Sequence, residues 1–352
     1  MRLETKSPPV SATSVTSTRN ALNDNEEVSA QLVWDTAPAL PLLTIGINTY
    51  KRLPLLVEAV RSAVDQASIG PVEILIVDND ANSGGAEALM AAAPDLVTAP
   101  IRYFINDNNI GMYGSVNRCV THARGEWLTI LHDDDLLDPK FSSTILPLLM
   151  AGKADGIVCR KRTLDQRQVA QTAPEPISLM RKGRKVIERM MFGHVSIRPL
   201  HLKQMFWGNP AGNLVGFLAR TSHFRDIGGF YAEEYPSCDY FFYARFCAHF
   251  RLAQLHTILV SIRIAENESL KPETLLGFLR TEYQMQQDLA GKVLPTWWKH
   301  ISPWLIGYHA DELNRAWRIC LDPGLIDREL DISHKPGRHL WLQALRGASG
   351  GF

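Results

Sequence analysis

From residue 39 onward the apolar positions follow two alternating rhythms. "LLTIGINTY" is a continuous apolar run of strand length, and "LPLLVEAVRSAVDQA" then sets Leu53, Leu56, Val57, Val60, Ala63 and Val64 at helical spacing, with Pro54 suited to the first turn. The alternation repeats: "VEILIVD" predicts a strand, "NDANSGG" a loop, an Ala-rich stretch a short helix, and "IRYFI" a third strand. Met112, Val116, Cys119, Val120 and Ala123 mark one face of a further helix, "EWLTIL" is a strand that runs into Asp133, Asp134 and Asp135, and Asp138 predicts a cap for a helix beginning at Pro139. With "DGIVC" as another strand, the pattern predicts an α/β fold: a doubly wound, mostly parallel sheet whose ligands meet the carboxyl ends of its strands.

The chain divides by texture. Residues 1–38 are polar, rich in Ser and Thr and without period, and predict a disordered tail. Residues 39–265 carry the alternating pattern, with order returning after 205 as a strand in "GNLVGFLAR" and a helix in "SCDYFFYARFCAHF"; between them, residues 160–205 hold the basic clusters "RKR" and "RKGRK" and predict a mobile segment beside the site. Residues 266–352 read as a C-terminal helical region with several tryptophans.

Composition narrows the partners. A chain of 352 residues that is 45% hydrophobic can bury a sizeable core, and 37 basic against 37 acidic residues leave no global field to recruit nucleic acid or anionic lipid. The five cysteines are odd in number and contain no CxxC, which suggests reduced thiols and a cytoplasmic setting. No stretch approaches the roughly 20 apolar residues of a membrane span.

One acidic triplet and two single acids carry candidate chemistry. Asp133, Asp134 and Asp135 crowd like charges at the end of an apolar strand, which requires open solvent or a cation; they precede the cap at Asp138, and a hard divalent ion, Mn²⁺ or Mg²⁺, fits them better than a solvated loop does. Asp78 ends its strand on the same sheet edge, either turning the chain with Asn79 or accepting a hydrogen bond from a nucleobase or ribose. Asp239 opens an aromatic-rich helix, where it either favours the helix terminus or pairs with Arg245, or else serves as a base in partly apolar surroundings.

Four blocks in order, "LLTIGINTYKR", "VEILIVDND", "NDNNIGMYGSVNRCVTHARGEWLTILHDDDLLDP" and "FRDIGGFYAEEYPSCDYFFYARF", resemble the family 2 glycosyltransferases of the GT-A fold over roughly residues 40–265. The resemblance implies a metal-dependent, inverting transferase that takes a sugar from a nucleotide-sugar donor, a UDP-sugar first among them, to a hydroxyl of a glycan or polyprenyl-linked saccharide. It implies a donor pocket of Thr49, Tyr50, Asp78, Asn79, Asn117, Arg118 and Asp133, metal held at Asp134 and Asp135 in the manner of a "DXD" site, and Asp239 as catalytic base. The alternatives are a sugar nucleotidyltransferase, whose Gly-rich basic first loop is missing here, and a sugar-nucleotide-binding protein that never transfers. Trp297, Trp298 and Trp304 beside Lys299, His300 and His309 raise peripheral membrane contact, against which ordinary packing of a helical subdomain is preferred.

Overall fold

The computed structural model describes residues 19–166, 197–264, 271–317 and 321–333, together with Leu342, Leu345 and Arg346. Its centre is a ten-stranded sheet: β1 (Ala30–Asp35), β2 (Leu43–Thr49), β3 (Val72–Asp78), β4 (Ile101–Asn106), β5 (Trp127–His132), β6 (Leu136–Leu137), β7 (Gly156–Asp165), β8 (Ile197–Leu200), β9 (Phe217–Arg220) and β10 (Leu252–Ile264). The order across the sheet is β1-β4-β3-β2-β5-β9-β7-β10-β6, with β8 pairing β10. Strands β4, β3, β2 and β5 are parallel neighbours, as are β7 and β10, while β9 runs antiparallel between the two groups.

The parallel strands are buried because helices cover both faces. Helix α1 (Leu53–Val64) sets Leu56, Val57, Ala59, Val60 and Ala63 against one face, where they join a core with Ile45, Ile47 and Ile74. Helix α3 (Gly111–His122) covers the other face, and Gly46 lets it approach: a Cβ there would lie 2.9 Å from Cys119 Cβ. Helices α2 (Gly85–Ala92) and α4 (Phe141–Met150) complete the alternating part. Beyond β10, helices at Pro272–Lys292, Ser302–Trp317 and Pro323–Leu330 form the C-terminal region.

Several expectations change. Residues 19–38 are ordered rather than tail-like: β1 pairs antiparallel with β4, and Arg19–Leu22 lies on the Gly228–Gly229 turn, where a Cβ on Gly228 would come within 2.2 Å of Arg19 O. Polarity misled there because an edge strand and a backbone strap bury little side chain. The "RKR" cluster belongs to the long strand β7, held along its length by β10, whereas "RKGRK" and the early part of residues 1–38 lie outside the described residues. Asp138 accepts from Lys140 N at 2.9 Å in a turn ahead of α4, which begins at Phe141 rather than Pro139. The strand expected over "GNLVGFLAR" contracts to Phe217–Arg220.

The topology reverses at β2, whose neighbours β3 and β5 lie on opposite sides of it. Such a switch point opens a crevice at the carboxyl ends of the strands. Register brings those ends level: Thr49 lies beside Asp78, and Asn48 beside His132.

Candidate functional site

At this crevice the chain builds two cavities. One, of about 310 Å³, is lined by Thr49, Lys51, Arg52, Asp78, Asp80 and Tyr103 among others. The second, of about 390 Å³, holds His132, Asp133, Asp134, Asp135 and Asp239. Arg52 lines both.

Each acid is fixed by a different element. Asp78 is buried at the end of β3, with Oδ2 accepting from Tyr103 Oη at 2.6 Å and Oδ1 from Asp80 N at 2.9 Å. Asp133 follows β5 and accepts from Thr49 Oγ1 at 2.8 Å and Tyr50 N at 3.4 Å. Arg52 Nη1 reaches Asp134 Oδ2 at 2.9 Å and Asp133 Oδ1 at 3.4 Å. Asp135 Oδ1 accepts from Arg263 N at 2.9 Å, and Arg263 Nε also donates to Asp134 O at 3.0 Å. The end of β10 therefore clamps the acidic turn from the far side.

Asp239 is the second residue of the helix Cys238–His249, reached by the turn before it, and Tyr240 N donates to its Oδ1 at 2.7 Å. Arg245 is not its partner: that guanidinium is buried against Glu234 and Gly229 O. Beneath the cavity, Lys161 Nζ donates to Ala211 O at 2.9 Å and to Asn213 O.

Burial dominates the electrostatics. It pushes the Asp135 carboxyl up to about 8, with neighbouring Asp134 adding to the rise and the Arg263 amide opposing it. Asp133 rises to about 6 for the same reason, restrained by the Thr49 hydrogen bond. Asp239 also rises to about 6, burial outweighing the pull of Lys161, and burial lowers Lys161 itself to about 8. His132, whose Nδ1 donates to Asn48 Oδ1 at 2.8 Å, is held down by burial and stays neutral.

Among the described residues no three or more His, Cys, Asp or Glu side chains converge as a ready-made metal cage. A Mg²⁺ or Mn²⁺ ion does not require one, because one or two carboxylates plus substrate phosphates suffice. The residues present fit that requirement: Asp134 and Asp135 place carboxylate oxygens, the hard donor type such an ion takes, on one cavity wall, and burial with an acidic neighbour raises the pKa of Asp135, as uncompensated negative charge does.

The sequence-predicted residues do not all gather. Thr49, Asp78, Asp133, Asp134, Asp135 and Asp239 line the two cavities, and Tyr50 offers its amide to Asp133 while its ring is exposed. Asn79 braces the rim, donating to Gly111 O at 2.9 Å and accepting from Asn106 Nδ2 at 2.7 Å. Asn117 and Arg118 are occupied elsewhere. Asn117 exchanges hydrogen bonds with both peptide groups of Phe230, and Arg118 donates to Asn25 O, Val28 O and Asn106 Oδ1. Arg52, Lys161 and Arg263 are added by the structure; for Arg263 the signal was an arginine in the otherwise apolar "LVSIRI".

The open α/β sheet thus carries a crevice with converging acids at its switch point. Residues 44–205 match the model of glycosyl transferase family 2, and the chain carries a domain of that family. Among similar proteins, the succinoglycan biosynthesis protein ExoO of Rhizobium meliloti is 33% identical over 100 residues, 28% of this chain and 27% of its own. A Campylobacter jejuni GalNAc(5)-diNAcBac-PP-undecaprenol beta-1,3-glucosyltransferase is 29% identical over 116 residues, 33% of this chain and 37% of its own. The matched stretches span well under half of these curated relatives. The fold is also that of a mannosyltransferase from Pyrobaculum calidifontis solved with GDP-Man and Mn²⁺, at a TM-score of 0.51 and 16% identity over 84% of this chain and 81% of the other.

Proposed function

We propose that this chain is an inverting glycosyltransferase that moves a sugar from a nucleotide-sugar donor to a hydroxyl of a glycan or polyprenyl-linked saccharide. The observation that carries the reading is the convergence of Asp239 with the acidic triplet on one cavity, beside a second cavity floored by Asp78. The family match and the printed activity of the Campylobacter jejuni relative support it.

The nucleoside enters the smaller cavity. Each Asp78 oxygen already accepts one hydrogen bond and keeps a lone pair for a base N–H; a UDP-sugar is the donor proposed first, on the family resemblance. Thr49 and the Tyr50 amide orient Asp133 toward the ribose. A divalent cation, when bound, would be held by Asp134 and Asp135 and would neutralise the charge developing on the leaving diphosphate.

Asp239 is the base. Held near 6 by burial, it is ionised at neutral pH yet basic enough to take a hydroxyl proton. The freed acceptor oxygen forms its bond to the anomeric carbon as the bond to the diphosphate breaks on the opposite face, so the linkage inverts. Peripheral membrane contact and a cytoplasmic location remain part of the proposal only as the setting that a lipid-linked acceptor would need; no helix among the described residues is long and apolar enough to cross a membrane.

The test is release of nucleoside diphosphate from a panel of UDP- and GDP-sugars with Mn²⁺, run with and without saccharide acceptors. No release and no thermal shift with any nucleotide would remove the reading, and binding without turnover would favour a sensor instead.

A further inference from the structure

Among the described residues Arg52 is the guanidinium that lines both cavities, and it lies against Asp133 and Asp134. Its peptide is anchored: its carbonyl accepts from Leu55 N and Leu56 N at the start of α1. Its side chain is 45% exposed and held at its tip, by Asp133 and Asp134. Rotation of the side chain alone can therefore carry the charge from one cavity to the other, with no movement of backbone.

Charge balance says when it would move. Asp133, Asp134 and Asp135 are consecutive, and Arg52 pairs its guanidinium with carboxylate oxygens of the first two, one charge where a divalent ion would bring two. An ion bound at Asp134 would compete for Oδ2, which Arg52 now holds at 2.9 Å, and would repel the guanidinium, so joint occupancy there is disfavoured. A displaced guanidinium needs an anion, and its planar fork matches phosphate oxygens. With the nucleoside in the smaller cavity and the acids in the larger, the donor's diphosphate would lie at the junction between them, which Arg52 already lines.

We propose that Arg52 is an exchangeable internal counter-ion: it neutralises Asp133 and Asp134 in the free protein and transfers to the donor's diphosphate when a divalent cation takes its place. The inference rests on the nucleotide-sugar reading above. Its consequence is coupling: cation and nucleoside diphosphate each bind weakly alone and strengthen the other, because each supplies what the other's arrival displaces.

The experiment measures Mn²⁺ binding directly, by the loss of the free-ion electron paramagnetic resonance signal, for wild type, Arg52→Ala and Arg52→Lys, with and without UDP. Circular dichroism melts confirm that each variant is folded. Without nucleotide, Arg52→Ala should bind Mn²⁺ about tenfold more tightly than wild type, as expected for release of one partly buried ion pair. In the same variant UDP should improve Mn²⁺ affinity much less than it does in wild type, with Arg52→Lys between the two. Unchanged or weaker Mn²⁺ binding by Arg52→Ala without nucleotide overturns the exchange. If wild type binds no Mn²⁺ even with UDP or GDP, it is the metal-site reading that fails, and the exchange fails with it.

Discussion

Thr49 Oγ1 donates to Asp133 Oδ2 at 2.8 Å, joining the ends of β2 and β5 across the crevice. The bond restrains a carboxylate that burial would otherwise push further toward protonation. Thr49→Val keeps shape and removes the donor. It should cost about 1.5–3 kcal/mol of stability in urea unfolding, the usual value for a hydrogen bond to a charged group, and should weaken UDP binding in calorimetry. A variant as stable as wild type would mean that Asp133 is held by Arg52 and Tyr50 alone.

Asp239→Asn should bind donor as wild type does and lose transfer by roughly 10²–10⁴-fold, the span typical of a removed general base. For wild type, the acid limb of kcat/KM should fall near pH 6, because only the ionised carboxylate accepts a proton. Lys161→Met removes the charge that favours ionisation and should move that limb upward. Near-normal transfer by the Asn variant would place the base elsewhere.

Asp134→Asn should fold normally and lose Mn²⁺-dependent nucleotide binding, since the side chain meets cavity rather than core. Wild-type Mn²⁺ affinity in that variant would refute the assignment of the ion to this acid.

Asp135 gives a pH dependence of stability whose sign runs against the ordinary carboxylate. Its folded pKa, about 8, lies above the ordinary carboxylate value of 3.8, so the folded protein binds more protons between those values. The associated stability is present below the lower value and is lost as pH rises through about 8. In chelator, wild type should therefore lose melting temperature relative to Asp135→Asn between pH 6 and 9. The comparison leaves the His132 contribution common to both proteins, whereas Lys161, which Asp135 helps keep charged, shifts with it. A constant difference between the two proteins would show that Asp135 is ionised throughout.

Asn117→Ala separates placement from resemblance. Asn117 donates to Phe230 O at 2.7 Å and Ala21 O at 3.2 Å and accepts from Phe230 N at 2.8 Å. Losing those buried bonds should cost about 2–4 kcal/mol and leave UDP affinity unchanged. Reduced UDP affinity in a folded variant would return the residue to the donor pocket.

The alternating strands and helices were legible because burial on both faces writes near-continuous apolar runs, as in "VEILIVD", and because Gly46 and Pro54 sit where packing and helix initiation need them. The acids at strand ends were legible from their position alone. Arg118 was not: its partners are carbonyl groups of Asn25 and Val28, and a side chain that satisfies backbone leaves no pattern in the residues it touches. β1 escaped notice for a related reason, since its burial is intermediate and exposed in turn with a bulge between Leu32 and Trp34. The tryptophans divide: Trp298 packs at 4.9 Å from Phe206 and 5.6 Å from Trp207, whereas Trp297 is 55% exposed. Packing favoured by the sequence holds for the first, and the second is a surface residue.

The clamp of Arg263 on Asp134 and Asp135, with Leu136–Leu137 paired to Val260–Ser261, joins positions more than a hundred residues apart in the chain. Contacts that distant close slowly, because a long loop must be ordered before any bond rewards it. During synthesis β2, β3 and β5 can emerge and pair well before β10 exists, so the acidic turn passes through a stage in which its strand is formed and its clamp is not. The acidic turn thus takes its final form late, when the residues after Leu252 have left the ribosome and docked. A nucleotide that recognises this turn would act as a check on completed folding, gripping only chains that have finished.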